Sequence, residues 1–161
     1  MGRMQAKGDT LRHTRARAPV DEATHKRVLD ALKQALAARK EIIVAYVHGS
    51  YAEGRSFRDL DIAVHVSESA LSGSPLSYEL MLESELEEGL RGVNLRVPLD
   101  VRILNRAPLS FRYEVIKHGT PVFIGDDDLR ADFEAATISR YLDFAPFRRE
   151  QLREVLGLEA E

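Results

Sequence analysis

Six consecutive apolar residues, Ile42-Ile43-Val44-Ala45-Tyr46-Val47, constrain the fold of this chain more than any other feature. Four of them are β-branched, which favours an extended strand. A strand with no polar alternation is covered on both faces, so this one belongs in the interior of a sheet with helices on either side. The 161 residues, 44% of them hydrophobic, suffice for one such domain with its own core. We therefore read residues 20–161 as a single domain. Residues 1–19 read as a flexible basic leader carrying Arg3, Lys7, Arg12, Arg15 and Arg17 against one acid, Asp9.

The flanking periodicities extend the pattern. Val20 to Lys40 reads as a helix capped by Asp21, with Val28, Leu29, Leu32 and Leu36 on one face. Asp59 to Val66 alternates: Leu60, Ile62, Val64 and Val66 point one way, and Asp59, Asp61, Ala63 and His65 the other. A helix from Leu76 to Arg91 follows, its apolar side drawn from Leu76, Leu80, Leu86 and Leu90. Leu95 to Leu104 forms a third strand in which Pro98 implies an edge position or a late start. There Leu99, Val101 and Ile103 face the core, away from Asp100 and Arg102. Pro108 opens a helix to His118, closed by Gly119, and Thr120 to Ile124 is a short strand. Asp126 to Asp128 caps a helix to about Phe144, and Pro146 opens another, Phe147 to Leu156. The order is that of an α/β domain on a small mixed sheet with a helical C-terminus.

Composition excludes several chemistries. With no cysteine there is no disulfide, thiolate metal site or thiol nucleophile. The five histidines lack zinc-binding spacing, and no Gly-x-Ser-x-Gly elbow occurs. A net charge of −3 gives no general attraction for nucleic acid or anionic lipid, and no apolar run approaches the roughly 20 residues of a spanning helix. These features lead us to expect a soluble, cytoplasmic protein without a nucleic-acid or membrane partner. Gly49 to Ser56 nearly spells a P-loop, with Arg55 in place of lysine. A P-loop must run into a long helix, whereas Phe57-Arg58 leads directly into a strand.

Three features point to one chemistry. Gly49-Ser50 ends the buried strand, where backbone N–H groups and a hydroxyl suit phosphate oxygens. Asp59 and Asp61, two apart on a strand, project to one side with backbones roughly 6.5–7 Å apart. Like charges placed so closely call for a cation, and hard divalent ions choose carboxylates plus substrate phosphates. Asp100 interrupts a later strand on its polar register and, if the strands are neighbours, completes a carboxylate trio suited to two metal ions. Arg55 and Arg58 could help neutralise phosphate, and His48 and His65 lie near enough to approach a nucleotide, although solvated or packed roles also account for all four.

The order Gly49-Ser50, Asp59-x-Asp61, then a distant Asp100 resembles the minimal nucleotidyltransferases of the DNA polymerase β superfamily over roughly Glu41 to Phe144. Leu99 to Pro108, Phe111 to Ile116 and the closing Tyr141-Leu142-Asp143-Phe144 are similar to the subgroup paired with HEPN-domain ribonucleases in toxin–antitoxin systems. The resemblance implies a polymerase β-like fold, triphosphate binding by Gly49 and Ser50, and Mg²⁺ held by Asp59, Asp61 and Asp100, with Asp100 helping to activate the acceptor hydroxyl. It implies ATP as substrate, a HEPN toxin as partner and AMP transfer to a tyrosine of that toxin, within a homo- or hetero-oligomer. Two features depart from the family pattern: only eight residues separate Ser50 from Asp59, and His48 stands where a bulky apolar residue is common. A small-molecule acceptor resembling an aminoglycoside, and a non-catalytic antitoxin that blocks its partner through C-terminal helices, are the competing readings.

Overall fold

The computed structural model describes residues 17–157. Most of the basic leader, with His13, lies outside them. Its last part is tied down: Arg17 and Phe57 exchange backbone hydrogen bonds, Phe57 N–H donating to Arg17 at 3.0 Å.

Four strands form one mixed sheet. They are β1 (Ile42–His48), β2 (Leu60–Val66), β3 (Leu99–Ile103) and β4 (Thr120–Ile124), in the order β3-β2-β1-β4. β1 pairs antiparallel with both β2 and β4, while β2 and β3 are parallel. The apolar run is thus interior, as its composition requires, and all six of its residues are buried. β3 is an edge strand that begins directly after Pro98, so both expectations for that proline hold.

Helices cover both faces. On one, Ala45, Val47, Leu60, Ile62, Val64, Val101 and Ile103 pack against α1 (Glu22–Ala37) and α3 (Pro75–Leu90). On the other, Val44, Tyr46 and Ala63 pack beneath α4 (Leu109–His118) and α5 (Asp127–Leu156) through Val115, Phe111 and Phe133. α1 begins at its expected cap, where the Thr24 N–H donates to Asp21 Oδ1 at 2.9 Å. Asp126 caps α5 in the same way, accepting from Leu129 N–H at 2.9 Å.

Two expectations require correction. The buried row of α3 is Tyr78, Leu82, Leu86 and Leu90; Leu76 and Leu80 are 60% and 56% exposed. A strict four-residue spacing from Tyr78 describes the packed stripe, and the first two leucines lie outside it. At the C-terminus, the two expected helices are one 30-residue helix with Pro146 inside it. Proline removes one N–H and crowds the preceding turn, but Pro146 is exposed, so the unpaired carbonyl is left to water and the helix continues. It ends at Gly157, whose φ of +62° is left-handed.

Candidate active site

Strand register builds the site. His48 is the cross-strand partner of Asp61, and Asp61 of Asp100, so one row runs His48–Asp61–Asp100 across β1, β2 and β3. Directly opposed residues point to the same face, which here is the face covered by α4 and α5 rather than by α1 and α3. Asp59 precedes β2 at a bend and is exposed, so it lies on the approach to the strand rather than within it. The expectation that Asp59 lies on the strand is corrected to that extent, although its charge still acts on Asp61.

β1 ends in α2, a single helical turn spanning Gly49–Ala52. Gly49 has φ +69°, and a Cβ there would overlap Asp61 Oδ2. The Asp61 carboxylate therefore rests against the Gly-Ser turn, and only glycine permits that approach. Leading N–H groups of a helical turn have no partner inside the helix, so Gly49 and Ser50 present donors beside an acid.

The electrostatics reveal the same crowding. Burial, then the negative charges of Asp59 and Asp100, push the Asp61 carboxyl up to about 6 from its ordinary 3.8. Arg102 partly opposes this. Burial lowers His48, whose proton affinity the charge of Asp100 partly restores; its Nε2 is buried without a hydrogen-bond partner. A groove of about 540 Å³ opens beside this row, walled by His48, Asp61, Asp100, Arg102, Pro108 and Phe111. Its α4 side is pinned: the Arg112 guanidinium donates to the carbonyls of Ala107 at 2.9 Å and Asn105 at 2.7 Å. Asn105 in turn brackets β2, accepting from Val66 N–H at 3.0 Å and donating to Val66 O at 2.7 Å.

The carboxylates have the right donors for a hard cation: oxygens only, mutually repelling, with one carboxyl raised by burial and by its acidic neighbours. Among the described residues, however, no three acidic or imidazole groups are drawn together tightly enough to enclose an ion. Asp100 instead pairs with Arg102, Oδ1 to Nε at 3.0 Å. Asp59, Asp61 and Asp100 could hold a divalent ion once that pair opens. Of the other basic residues weighed, Arg55 pairs with Glu53. His65 is turned inward, stacked on Phe133 at 4.0 Å between ring centroids. Sequence reasoning missed Arg102 as a site residue, although its position two after Asp100 puts it on the same face.

A Gly-Ser turn at the end of a central strand, beside aspartates, sets donors for phosphate oxygens next to oxygen ligands for a cation, the equipment a nucleotide-dependent transferase needs. The chain belongs to the family described as Polymerase beta, Nucleotidyltransferase, which it matches over residues 30–128. No curated protein matches its sequence. Solved structures share the fold. One is of a point mutant of the toxin–antitoxin MntA-HpeT: 21% identity, TM-score 0.62, covering 79% of this chain and 96% of that one. Another is of a toxin–antitoxin with AMP-PNP, at 21% identity and TM-score 0.59, covering 82% and 98%. A third is of a tri-AMPylated Shewanella oneidensis HEPN toxin in complex with MNT antitoxin, at 19% identity and TM-score 0.57, covering 84% and 98%. Among the described residues, no helix is long and apolar enough to cross a membrane.

Proposed function

We propose that this nucleotidyltransferase moves AMP from ATP onto a hydroxyl of a partner protein, and that the partner is a HEPN-domain toxin which the transfer silences. The observation that carries the reading is the row His48–Asp61–Asp100 with Asp59 at its margin, set against the Gly49-Ser50 turn. Similarity in fold to an antitoxin bound to an AMPylated HEPN toxin supports the choice of partner, and similarity to a complex with AMP-PNP supports the choice of nucleotide.

In this reading Gly49 and Ser50 hold phosphate oxygens through backbone N–H groups and the serine hydroxyl. Asp59, Asp61 and Asp100 hold Mg²⁺, which when bound supplies charge neutralisation for the phosphates and the departing pyrophosphate. The acceptor hydroxyl lies in the groove beside Asp100. Its oxygen forms a bond to the α-phosphorus, the bond from that phosphorus to the α–β bridging oxygen breaks, and pyrophosphate leaves. The hydroxyl proton passes to the Asp100 carboxylate and then to solvent. Positioning and electrostatics are the protein's contribution, as in other phosphoryl transfers.

The test is incubation with ATP labelled at the α-phosphate and Mg²⁺, in three arms: the protein alone, with a HEPN-domain protein encoded beside it, and with an aminoglycoside. Label on the HEPN protein is the expected result. Label on the aminoglycoside alone would establish the small-molecule reading. No label in any arm, with the HEPN protein still inhibited, would establish the non-catalytic one.

A further inference from the structure

Asp100 is already engaged. Its Oδ1 meets the Arg102 Nε at 3.0 Å, with the two side chains 39% and 59% exposed. Both residues line the same groove, and both point to the face that carries Asp61. Besides Asp61, the other charged residues of the groove are occupied elsewhere. Glu79 accepts the Ile103 N–H at 2.9 Å, and Arg106 pairs with Glu68 at 3.0 Å. A guanidinium and a divalent ion compete for the same carboxylate oxygens.

We propose that Arg102 is a resident counter-ion. It neutralises Asp100 until a divalent cation and a polyphosphate arrive together, then exchanges the carboxylate for phosphate oxygens and so couples cation binding to nucleotide binding. A cation arriving alone must displace the guanidinium into water. With a polyphosphate present, the displaced guanidinium gains a better partner, because its planar fork matches phosphate geometry. The pair is solvent-exposed and therefore weak, so it delays the cation without excluding it. The inference rests on the proposed role of the three aspartates as the cation site. It adds a positioning residue that the family motif does not contain.

The experiment measures Mn²⁺ binding by the electron paramagnetic resonance of free Mn²⁺, with and without α,β-methylene-ATP. It uses the full-length protein and its Arg102→Met and Arg102→Lys variants. Arg102→Met should bind Mn²⁺ alone about two- to fivefold more tightly than wild type, in line with the weakness of exposed ion pairs. The nucleotide analogue should then tighten Mn²⁺ by a smaller factor in Arg102→Met than in wild type, and Arg102→Lys, which keeps the charge but not the planar fork, should fall between the two. In an Asp100→Asn background the Met substitution should change the affinity for Mn²⁺ alone less than it does beside Asp100, because the pair it breaks is already gone. Wild-type Mn²⁺ binding with an unaltered affinity or an unaltered coupling factor in Arg102→Met overturns the role of Arg102 and leaves the aspartate site standing. Absence of Mn²⁺ binding in both wild type and Arg102→Met, even with the analogue, overturns the aspartate site and this inference together.

Discussion

At the scale of single residues, Asp61 carries the most consequence. Its folded-state pKa of about 6 lies above the ordinary 3.8, so the folded protein binds a proton more tightly than the unfolded chain. Its ionisation weighs against folding fully above about pH 6, and that burden is relieved as pH falls through the window between the two values. Asp61→Asn should therefore raise the melting temperature of the cation-free protein by a few degrees at pH 7.5, and the advantage should vanish near pH 4. Thermal melts in EDTA at the two pH values check this; equal melting at pH 7.5 would contradict it. Gly49 is the second such residue. Alanine there meets a left-handed φ and the Asp61 carboxylate at once, which should cost about 1–3 kcal/mol of stability. Because Asp61 is displaced, transfer should drop by about 10²-fold, read as kcat on labelled ATP. Spacing drew attention to the Gly-Ser turn and the three aspartates, and the resemblance to the nucleotidyltransferases gave them their expected roles. The Asp100–Arg102 pair was not, because alternation predicts a shared face and says nothing of which charges meet on it.

At the scale of elements, α3 and β3 show how the sequence manages an exposed sheet edge. Glu79, Glu83 and Glu87 recur every four residues along α3. They accept the N–H groups of Ile103 at 2.9 Å, Val101 at 3.0 Å and Leu99 at 3.5 Å. Among the described residues no strand lies beside these N–H groups, and the glutamates close the row that would otherwise template pairing with another chain. Glu83→Ala should cost about 1–2 kcal/mol by orphaning the Val101 N–H and should increase self-association. Glu83→Gln, which keeps the accepting oxygen, should do neither. Urea denaturation and sedimentation velocity read the two effects. The glutamate row is visible in the sequence only as a charged helix face. The leucine row of α3 was misread for a related reason: Leu76 and Leu80 fit a helical period, yet tertiary packing chose the stripe beginning at Tyr78. β1, by contrast, was readable outright, since an unbroken β-branched run has few homes other than an interior strand.

For the whole molecule, the four strands and most of their flanking helices were accessible from periodicity. What periodicity could not supply was strand register, the fact that decides whether Asp100 stands beside Asp61, because register depends on pairing across 38 intervening positions. Nor could it foresee that Pro146 would lie within one continuous α5. The far end of that helix stands clear of the core: Leu152, Val155 and Leu156 are 51%, 82% and 65% exposed. Replacing all three with glutamine should leave the unfolding free energy of the isolated protein, read by urea titration, within about 0.5 kcal/mol of wild type, as for other surface changes. A larger loss would mean that this end is buried in solution.

The central claim is that Asp59, Asp61 and Asp100 act together on one nucleotide, and transfer of α-labelled ATP by the Asp59→Asn/Asp61→Asn double variant tests it most directly. The account predicts a wild-type fold by circular dichroism and no transfer of label to the acceptor that wild type modifies. A double variant that labels that acceptor as fast as wild type would contradict it.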